Sequence, residues 1–428
     1  MHPQPQRAEV PVDGSAPTDT GAWTAYQKAI TLLAAIAVIF DGFDIQILGF
    51  AIPSIMKEWH VARAAFAPIA ALGLAGMAFG SPFAGYCGDR FGRRITLIGC
   101  VVLFGMATVA TAFCSTLTEL GFLRVLAGIG VGGALPNASA LVAEFAPLRR
   151  RAMAVTLTIV CVPLGGMTAG LVAARVLPAL GWHALYMIGG AAPLVFALVL
   201  LVALPESPRY LARSLEKHND AAGPGDLRAL LSPAHRRDTL AIWLAFFSCL
   251  NGVYLVFGWL PSMLASKGLD VVTASSGLAA YNFGGVLGVL LIALIVTAVG
   301  SRGPLLWASI AGCVSALILQ FVHIGPGSDH TLLIGGIGLH GLFVNAVQTT
   351  MYALASHVYP TRVRATGIAC AAAVGRAGAM VSSLGGAAII QWGSGPFLMW
   401  MAVAMAGTFV GIALVRNHYP GSRTARPL

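Results

Sequence analysis

Two aspartates three residues apart, Asp41 and Asp44, stand in the apolar run Ala-Val-Ile-Phe-Asp41-Gly-Phe-Asp44-Ile-Gln46. On a helix this spacing puts both carboxylates on one face. Deep in hydrocarbon each ionised carboxylate costs about 2.5–3.5 kcal/mol, a cost that implies a use. Two carboxylates this close in a low dielectric repel, so the pair suits the uptake and release of a proton. The other use open to them is as buried partners of an arginine. Two arginines, Arg124 and Arg376, lie within apolar runs. An arginine stays charged and offers a planar fork of donors, so each must meet a carboxylate, a carbonyl or an anionic ligand. Both are candidates for binding an organic anion, and for Arg124 an aspartate partner is an equal alternative.

Other side chains at similar depth are polar or aromatic: Gln46, Tyr254, Trp259, Asn282, His340, Asn345, Gln348 and Tyr352. Singly, each is an ordinary satisfied core residue; together they can line a polar cavity with aromatic walls, a substrate site. His340 is an alternative proton carrier. The Gly-rich run after Arg124 has no strand before it and does not make a nucleotide loop. Gly76/Gly80, Gly128/Gly132 and Gly284/Gly288 have the spacing that lets helices approach closely. Seven cysteines without a CxxC pair read as small core residues, neither disulfides nor metal ligands. With no nucleophile beside a base, no metal cluster and no cofactor loop, the expectation is no enzyme, no cofactor and no metal.

These residues need elements that hold them in lipid. The chain has 428 residues, 57% hydrophobic and only 10% charged, where a soluble chain carries about 25% charged. At roughly 20 residues per crossing, its apolar residues suffice for about twelve crossings. Apolar runs fall at Ala29 to Ile52, Phe66 to Cys87, Ile95 to Phe113, Leu120 to Ala143, Ala152 to Leu177 and Ala184 to Leu204. The second set is Leu240 to Leu264, Ser275 to Val299, Leu305 to Val322, Leu332 to Ala355, Thr366 to Ile390 and Phe397 to Val415. The expectation is an all-α membrane protein of twelve transmembrane helices. Residues 1–25 read as a disordered cytoplasmic tail, 26–204 and 238–416 as six-helix bundles, 205–237 as a cytoplasmic linker and 417–428 as a second tail.

The net charge of +10 points to topology rather than nucleic acid, because the basic residues cluster between apolar runs. With the N-terminus inside, twenty of the 26 Lys and Arg fall on the cytoplasmic side and only Lys57, Arg63, Arg175 and Lys267 outside. Both termini are therefore expected in the cytoplasm. Pro147-Leu-Arg149-Arg-Arg151-Ala152 aligns with Pro360-Thr-Arg362-Val-Arg364-Ala365, Gly88-Asp-Arg90 with Gly300-Ser-Arg302, and Ile52-Pro-Ser-Ile with Leu260-Pro-Ser-Met, at offsets of 213, 212 and 208 residues. Two halves related by a pseudo-two-fold axis, with a site between them, is a transporter architecture. At the last offset uncharged Cys249 and Gly252 stand opposite Asp41 and Asp44, so the carboxylate pair belongs to the first half alone.

The loop Gly85-Tyr-Cys-Gly-Asp89-Arg90-Phe-Gly92-Arg93-Arg94 resembles the GxxxDRxGRR signature of the major facilitator superfamily. The run from Arg124 to Gly132, the stretch Glu144-xx-Pro147-xxx-Arg151 and Pro205-Glu-Ser-Pro-Arg209 resemble its further motifs. Asp41-Gly-Phe-Asp44, with Tyr359-Pro-Thr-Arg362-Val-Arg364-Ala-Thr-Gly367, resembles the aromatic acid:proton symporter family, to which benzoate- and 4-hydroxybenzoate-type importers belong. The resemblance implies the major facilitator fold, coupling through Asp41 and Asp44, and a cytoplasmic gate of Gly85, Asp89, Arg90, Gly92, Arg93, Arg94, Glu144 and Arg151. In that gate Asp89 is expected at a helix N-terminus and Arg93 across from Glu144; Gly300-Ser301-Arg302-Gly303 lacks the acidic residue, so its own gate is expected to be weaker. The function so implied is proton-coupled import of an aromatic carboxylate at the inner membrane, with a monomer sufficing. A non-aromatic acid such as muconate is the nearest alternative, a proton-driven exporter the next.

Overall fold

Thr24 and Gln27 open the first helix with a reciprocal cap. The Gln27 N–H donates to Thr24 Oγ1 (3.2 Å) and the Thr24 N–H to Gln27 Oε1 (3.1 Å), satisfying two donors that the first turn leaves free. In this computed structural model, residues 23–147, 150–208, 210, 230–233, 235–327, 329–359 and 363–420 are described. The expected tail before residue 23, Arg149, most of the linker, Pro360 to Arg362 and the chain beyond 420 lie outside the described residues.

The helices are α1 (Ala25–Trp59), α2 (Phe66–Phe91), α3 (Arg93–Thr111), α4 (Leu117–Phe145), then a continuous stretch Arg151–Ala203. A straight helix of that length would run about 80 Å, far beyond a bilayer. It is broken at Gly181, whose φ of 75° lies in the left-handed region, and Gly165 before it and Gly189 after it both abut Phe43 of α1. The stretch is therefore two helices, α5 and α6, and the expected gap between Leu177 and Ala184 narrows to a single residue. The second half holds α7 (Arg236–Ser266), α8 (Val271–Val299), α9 (Arg302–Leu319), α10 (His330–Val358), α11 (Arg364–Gln391) and α12 (Ser394–Leu414). That makes twelve spans, with no strand among the described residues.

Packing repeats between the halves. The α5–α6 stretch packs on α1 and on α3, α2 on α4, and α3 on α4; correspondingly α7 packs on α11 and α12, α8 on α10, and α9 on α10 and α12. The two six-helix bundles meet through α1 with α7, the α5–α6 stretch with α8, and α2 with α11. Within each bundle the small residues sit where the spacing predicts. A Cβ on Gly80 would lie 2.1 Å from the Ile129 carbonyl oxygen, and one on Gly288 1.9 Å from that of Leu342. Helix backbones can touch only where no side chain intervenes.

The Gly300-Ser301 turn in the second half, which lacks the acidic residue of its counterpart, is covered by the chain's own C-terminal segment. Ser301 N–H donates to the Tyr419 carbonyl (3.0 Å), Tyr419 N–H donates to Ser301 Oγ (2.9 Å), and His418 Nδ1 lies 3.3 Å from Ser301 Oγ. Asp238 at the start of α7 accepts from Arg416 N–H (2.9 Å) and from Asn417 Nδ2 (3.0 Å). Burial, and Arg302 nearby, hold the His418 pKa below its ordinary value, while its contact with the Ile412 carbonyl and Asp238 act in the opposite sense. A histidine whose pKa is lowered in the docked state favours docking less as pH falls through about 6.5, its free value. Hydrogen exchange over residues 415–420, corrected for intrinsic rates, is expected to quicken several-fold on acidification through that range. His418→Gln is expected to flatten the dependence.

Candidate functional site

Asp44 is 3% exposed and lies just past the middle of α1. The Thr108 hydroxyl of α3 donates to its Oδ1, and Arg124 Nη1 of α4 donates to its Oδ2 at 3.5 Å. Arg124 Nη2 also donates to Thr108 Oγ1 (3.4 Å), and the guanidinium lies over the Tyr186 ring of α6, 5.4 Å from its centroid. Four helices thus converge on one neutral pair. An ion pair taken out of water holds only when its remaining lone pairs and protons are also met; Thr108 and Tyr186 supply part of this here, while Arg124 Nε stays buried without a hydrogen bond. Of the two uses open to Arg124, pairing with a span-one aspartate is the one observed. Thr108→Val keeps the shape and removes the hydroxyl, and is expected to cost about 1–3 kcal/mol. Thermal unfolding of the purified protein should show the loss, and Thr108→Ser should restore it.

Asp41, one turn earlier and 1% exposed, has no such partner: its Oδ1 is buried without a hydrogen bond. The charges acting on it are Asp44 and, from the opposite half, Arg376 of α11. Arg376 is half-buried, and it makes no hydrogen bond or ion pair to a described residue. Tyr254 of α7 and Tyr352 of α10 both lie within its field. Tyr352 stands edge-on to Phe246 (4.9 Å) and Tyr254 edge-on to Phe257 (5.7 Å), so the cation is flanked by aromatic walls. Gln348 lies one turn from Tyr352 on the same face of α10 and, like both tyrosines, is partly accessible. Arg376, Tyr254, Tyr352 and Gln348 form an accessible cationic and aromatic cluster, with Asp41 facing it across the interface.

The remaining expected substrate residues are withdrawn from it. Trp259 is fully buried and donates Nε1 to the Ser383 carbonyl (3.1 Å), tying α7 to α11. His340 faces α9, where Nδ1 meets Ser315 Oγ (2.9 Å) and the Gly312 carbonyl (3.1 Å). Asn345 donates to the Gly341 carbonyl of its own helix (2.9 Å). Gln46 and Asn282 are paired with each other. In this conformation each has its bonding satisfied away from the cluster, because the helix rotation that sets facing cannot be read from residue type. A cavity of about 60 Å³ does lie between the halves beyond the cluster, lined by Asp44, Arg124, Tyr254 and Ser383 among apolar side chains. It has room for about four waters, and not for a benzoate-sized ring.

At the face carrying both chain ends, Gly92 joins α2 to α3 with φ of 102°. A Cβ there would lie 2.3 Å from the Glu206 carboxylate. Glu206 Oε1 accepts the Arg94 N–H (3.1 Å), and so caps α3 in the place expected for Asp89. Asp89 is instead 60% exposed and paired with Arg93 of the next helix, which also reaches Asn137 Oδ1 (3.4 Å). Arg94 donates to the Leu201 carbonyl, and Arg90 to the Tyr86 hydroxyl (2.7 Å). Glu144 accepts from the Ser207 hydroxyl, so the expected Arg93–Glu144 contact is absent here. Arg151 leaves its buried Nε without a partner, and Gly85 faces open space.

A family model described as Major Facilitator Superfamily matches residues 34–323 and again 242–428. The chain belongs to the major facilitator superfamily. Among facilitators it is 33% identical to a gallate transporter of Pseudomonas putida over 95% of this chain and 96% of that protein. It is 32% identical to the 4-hydroxybenzoate transporter PcaK of Pseudomonas aeruginosa over 86% and 87% of the two chains. The fold matches the crystal structure of a D-xylose-proton symporter with a TM-score of 0.74 over 94% of this chain and all of that one, at 18% identity. A facilitator is a transporter and not an enzyme.

Thr108, Tyr186, Asn137 and Glu206 took part in no expectation about the site. Glu206 stood in a quoted motif without a role, while a lone threonine, tyrosine or asparagine inside an apolar span carries no signal of its partner.

Proposed function

We propose that the chain imports an aromatic carboxylate with a proton by alternating access at a bacterial-type inner membrane, acting as a monomer with both termini in the cytoplasm. The observation that carries this reading is the contrast between the two membrane arginines. Arg124 is neutralised by Asp44, whereas Arg376, flanked by Tyr254 and Tyr352, makes no ion pair with a described residue. A half-buried guanidinium without a protein carboxylate in contact offers its fork to a ligand's, and the tyrosine and phenylalanine rings beside it suit an aromatic body. The names of the relatives, gallate and 4-hydroxybenzoate transporters, point to the same class of acid.

Asp41 is the proton carrier in this reading, because it alone of the pair lacks a compensating cation in contact. Protonated, it leaves Arg376 free for the incoming carboxylate; ionised, it competes for that field and favours release. One proton per monovalent acid makes the cycle electroneutral, so a membrane potential, worth about 2.3 kcal/mol per 100 mV for each charge moved, contributes nothing. Asp89, Arg93, Arg94, Glu144 and Glu206 fasten the cytoplasmic ends of the first half and remake their contacts as that side opens and closes. Uptake of labelled gallate, 4-hydroxybenzoate and benzoate into proteoliposomes with an inward proton gradient tests the reading. Accumulation of at least one of them, abolished by an uncoupler, is expected. No accumulation of any, by folded protein, would overturn the aromatic substrate class and bring muconate-type acids forward.

A further inference from the structure

Gln46 and Asn282 stand in opposite halves, 236 residues apart, and hold each other by both ends. Gln46 Nε2 donates to Asn282 Oδ1 (3.0 Å), and Asn282 Nδ2 donates to Gln46 Oε1 (2.7 Å) and to the Leu278 carbonyl (2.9 Å). Both residues are 0% exposed. Around them the halves touch through small residues. A Cβ on Gly49 of α1 would lie 2.2 Å from the Phe257 carbonyl of α7 and one on Gly170 of α5 2.7 Å from Ala279 of α8, while within the first half one on Gly166 of α5 would lie 1.9 Å from the Gln46 amide nitrogen. By position along α1, α5, α7 and α8, all these residues lie in the half of each helix away from the start of α1. An amide in such a dry interface is nearly neutral when paired and costly when orphaned. Closure in this register is therefore favourable only when the two amides meet, and on separation each is rehydrated.

We propose that Gln46 and Asn282 form the latch of the outer gate, parting whenever the site opens outward, and that they set the balance of inward- and outward-open states without touching the transported acid. The proposal rests on the alternating-access reading above. Both groups are uncharged at every physiological pH, so the latch holds with the same strength whether Asp41, five residues earlier on α1, is protonated or not. Proton coupling and outer closure then share one helix, and a tilt of α1 moves both.

Ser383, 3% exposed, lines the small cavity between the halves together with Gly49 and Ile52 of α1, and Ser383→Cys is a nearly isosteric reporter there. Its labelling by a membrane-impermeant maleimide from outside reads opening. Relative to Ser383→Cys alone, adding Gln46→Leu or Asn282→Leu is expected to speed labelling about tenfold, the effect of losing two hydrogen bonds from the closed state; Gln46→Asn, one methylene shorter, should fall between. Binding of gallate to the purified variants, followed by thermal stabilisation, should persist. Unchanged labelling in whichever of the three variants reach the membrane as monodisperse protein would overturn the latch, as would unchanged labelling with loss of gallate binding, which would return Gln46 to the substrate. Gallate with a proton gradient should alter labelling of Ser383→Cys in the otherwise unchanged protein. Failure of that response overturns alternating access itself, and leaves the latch to be judged by the variants.

Discussion

Arg376→Ala is expected to lower the initial rate of aromatic acid uptake by about a hundredfold or more. A desolvated charge pair broken at one partner loses about 2–5 kcal/mol, and about 2.7 kcal/mol is already a factor of one hundred in binding. Arg376→Lys keeps the charge and loses the planar fork, so uptake should still fall by about tenfold or more. Neither change should unfold the protein, because Arg376 makes no hydrogen bond or ion pair to a described residue that would be left orphaned. The distinguishing measurement is ligand-induced thermal stabilisation: the parent should melt higher with gallate or 4-hydroxybenzoate, and the two variants should melt alike with and without it. Arg376→Ala protein that binds and transports the acid normally would remove the carboxylate site from α11.

The two aspartates are expected to fail in opposite ways. Asp44→Asn leaves Arg124 buried with an uncompensated charge, a loss of about 3–5 kcal/mol that should show as a fall in melting temperature and in folded yield. Adding Arg124→Gln removes that charge and should recover part of the loss. Asp41→Asn breaks no ion pair, and the protein should melt close to the parent. What it should lose is accumulation: uptake against a gradient driven by protons stops, while exchange of labelled for unlabelled acid at equal pH continues. If Asp41→Asn still accumulated acid and Asp44→Asn stopped doing so in fully folded protein, the assignments of the two carboxylates would be reversed.

Much of this arrangement is legible in the residues because lipid is a severe solvent. Twenty apolar residues in a row have few structural fates, and the runs from Ala29 to Val415 mark the helix ends to within about a turn, except that α1 continues seven residues past Ile52 to Trp59. Glycines at four-residue spacing mark backbone contacts, as Gly80 on Ile129 and Gly288 on Leu342 bear out. Membrane charges mark themselves by their cost, which is why Asp41, Asp44, Arg124 and Arg376 stand out. Their partners do not. Which way Arg124 points depends on the rotation of α4 against α1 and α3, and hydropathy that is high all round a buried helix leaves that rotation unspecified. The same ambiguity made Gln46, Asn282, Trp259, His340 and Asn345 resemble cavity residues: each is polar or aromatic at the right depth, and each spends its bonding capacity on a neighbouring helix or its own. At the loops, Asp89 and Glu206 both suit a helix N-terminus, and only chain geometry places Glu206 on α3.

The most direct test of the account follows the proton itself. In lightly buffered proteoliposomes carrying an internal pH dye, 4-hydroxybenzoate or gallate is added outside with the membrane potential clamped first at zero and then inside-negative. The account predicts acidification of the interior at the rate of acid uptake, above that of protein-free liposomes, insensitive to the clamp and absent with Asp41→Asn. Uptake of the acid by the parent protein without accompanying acidification would contradict it.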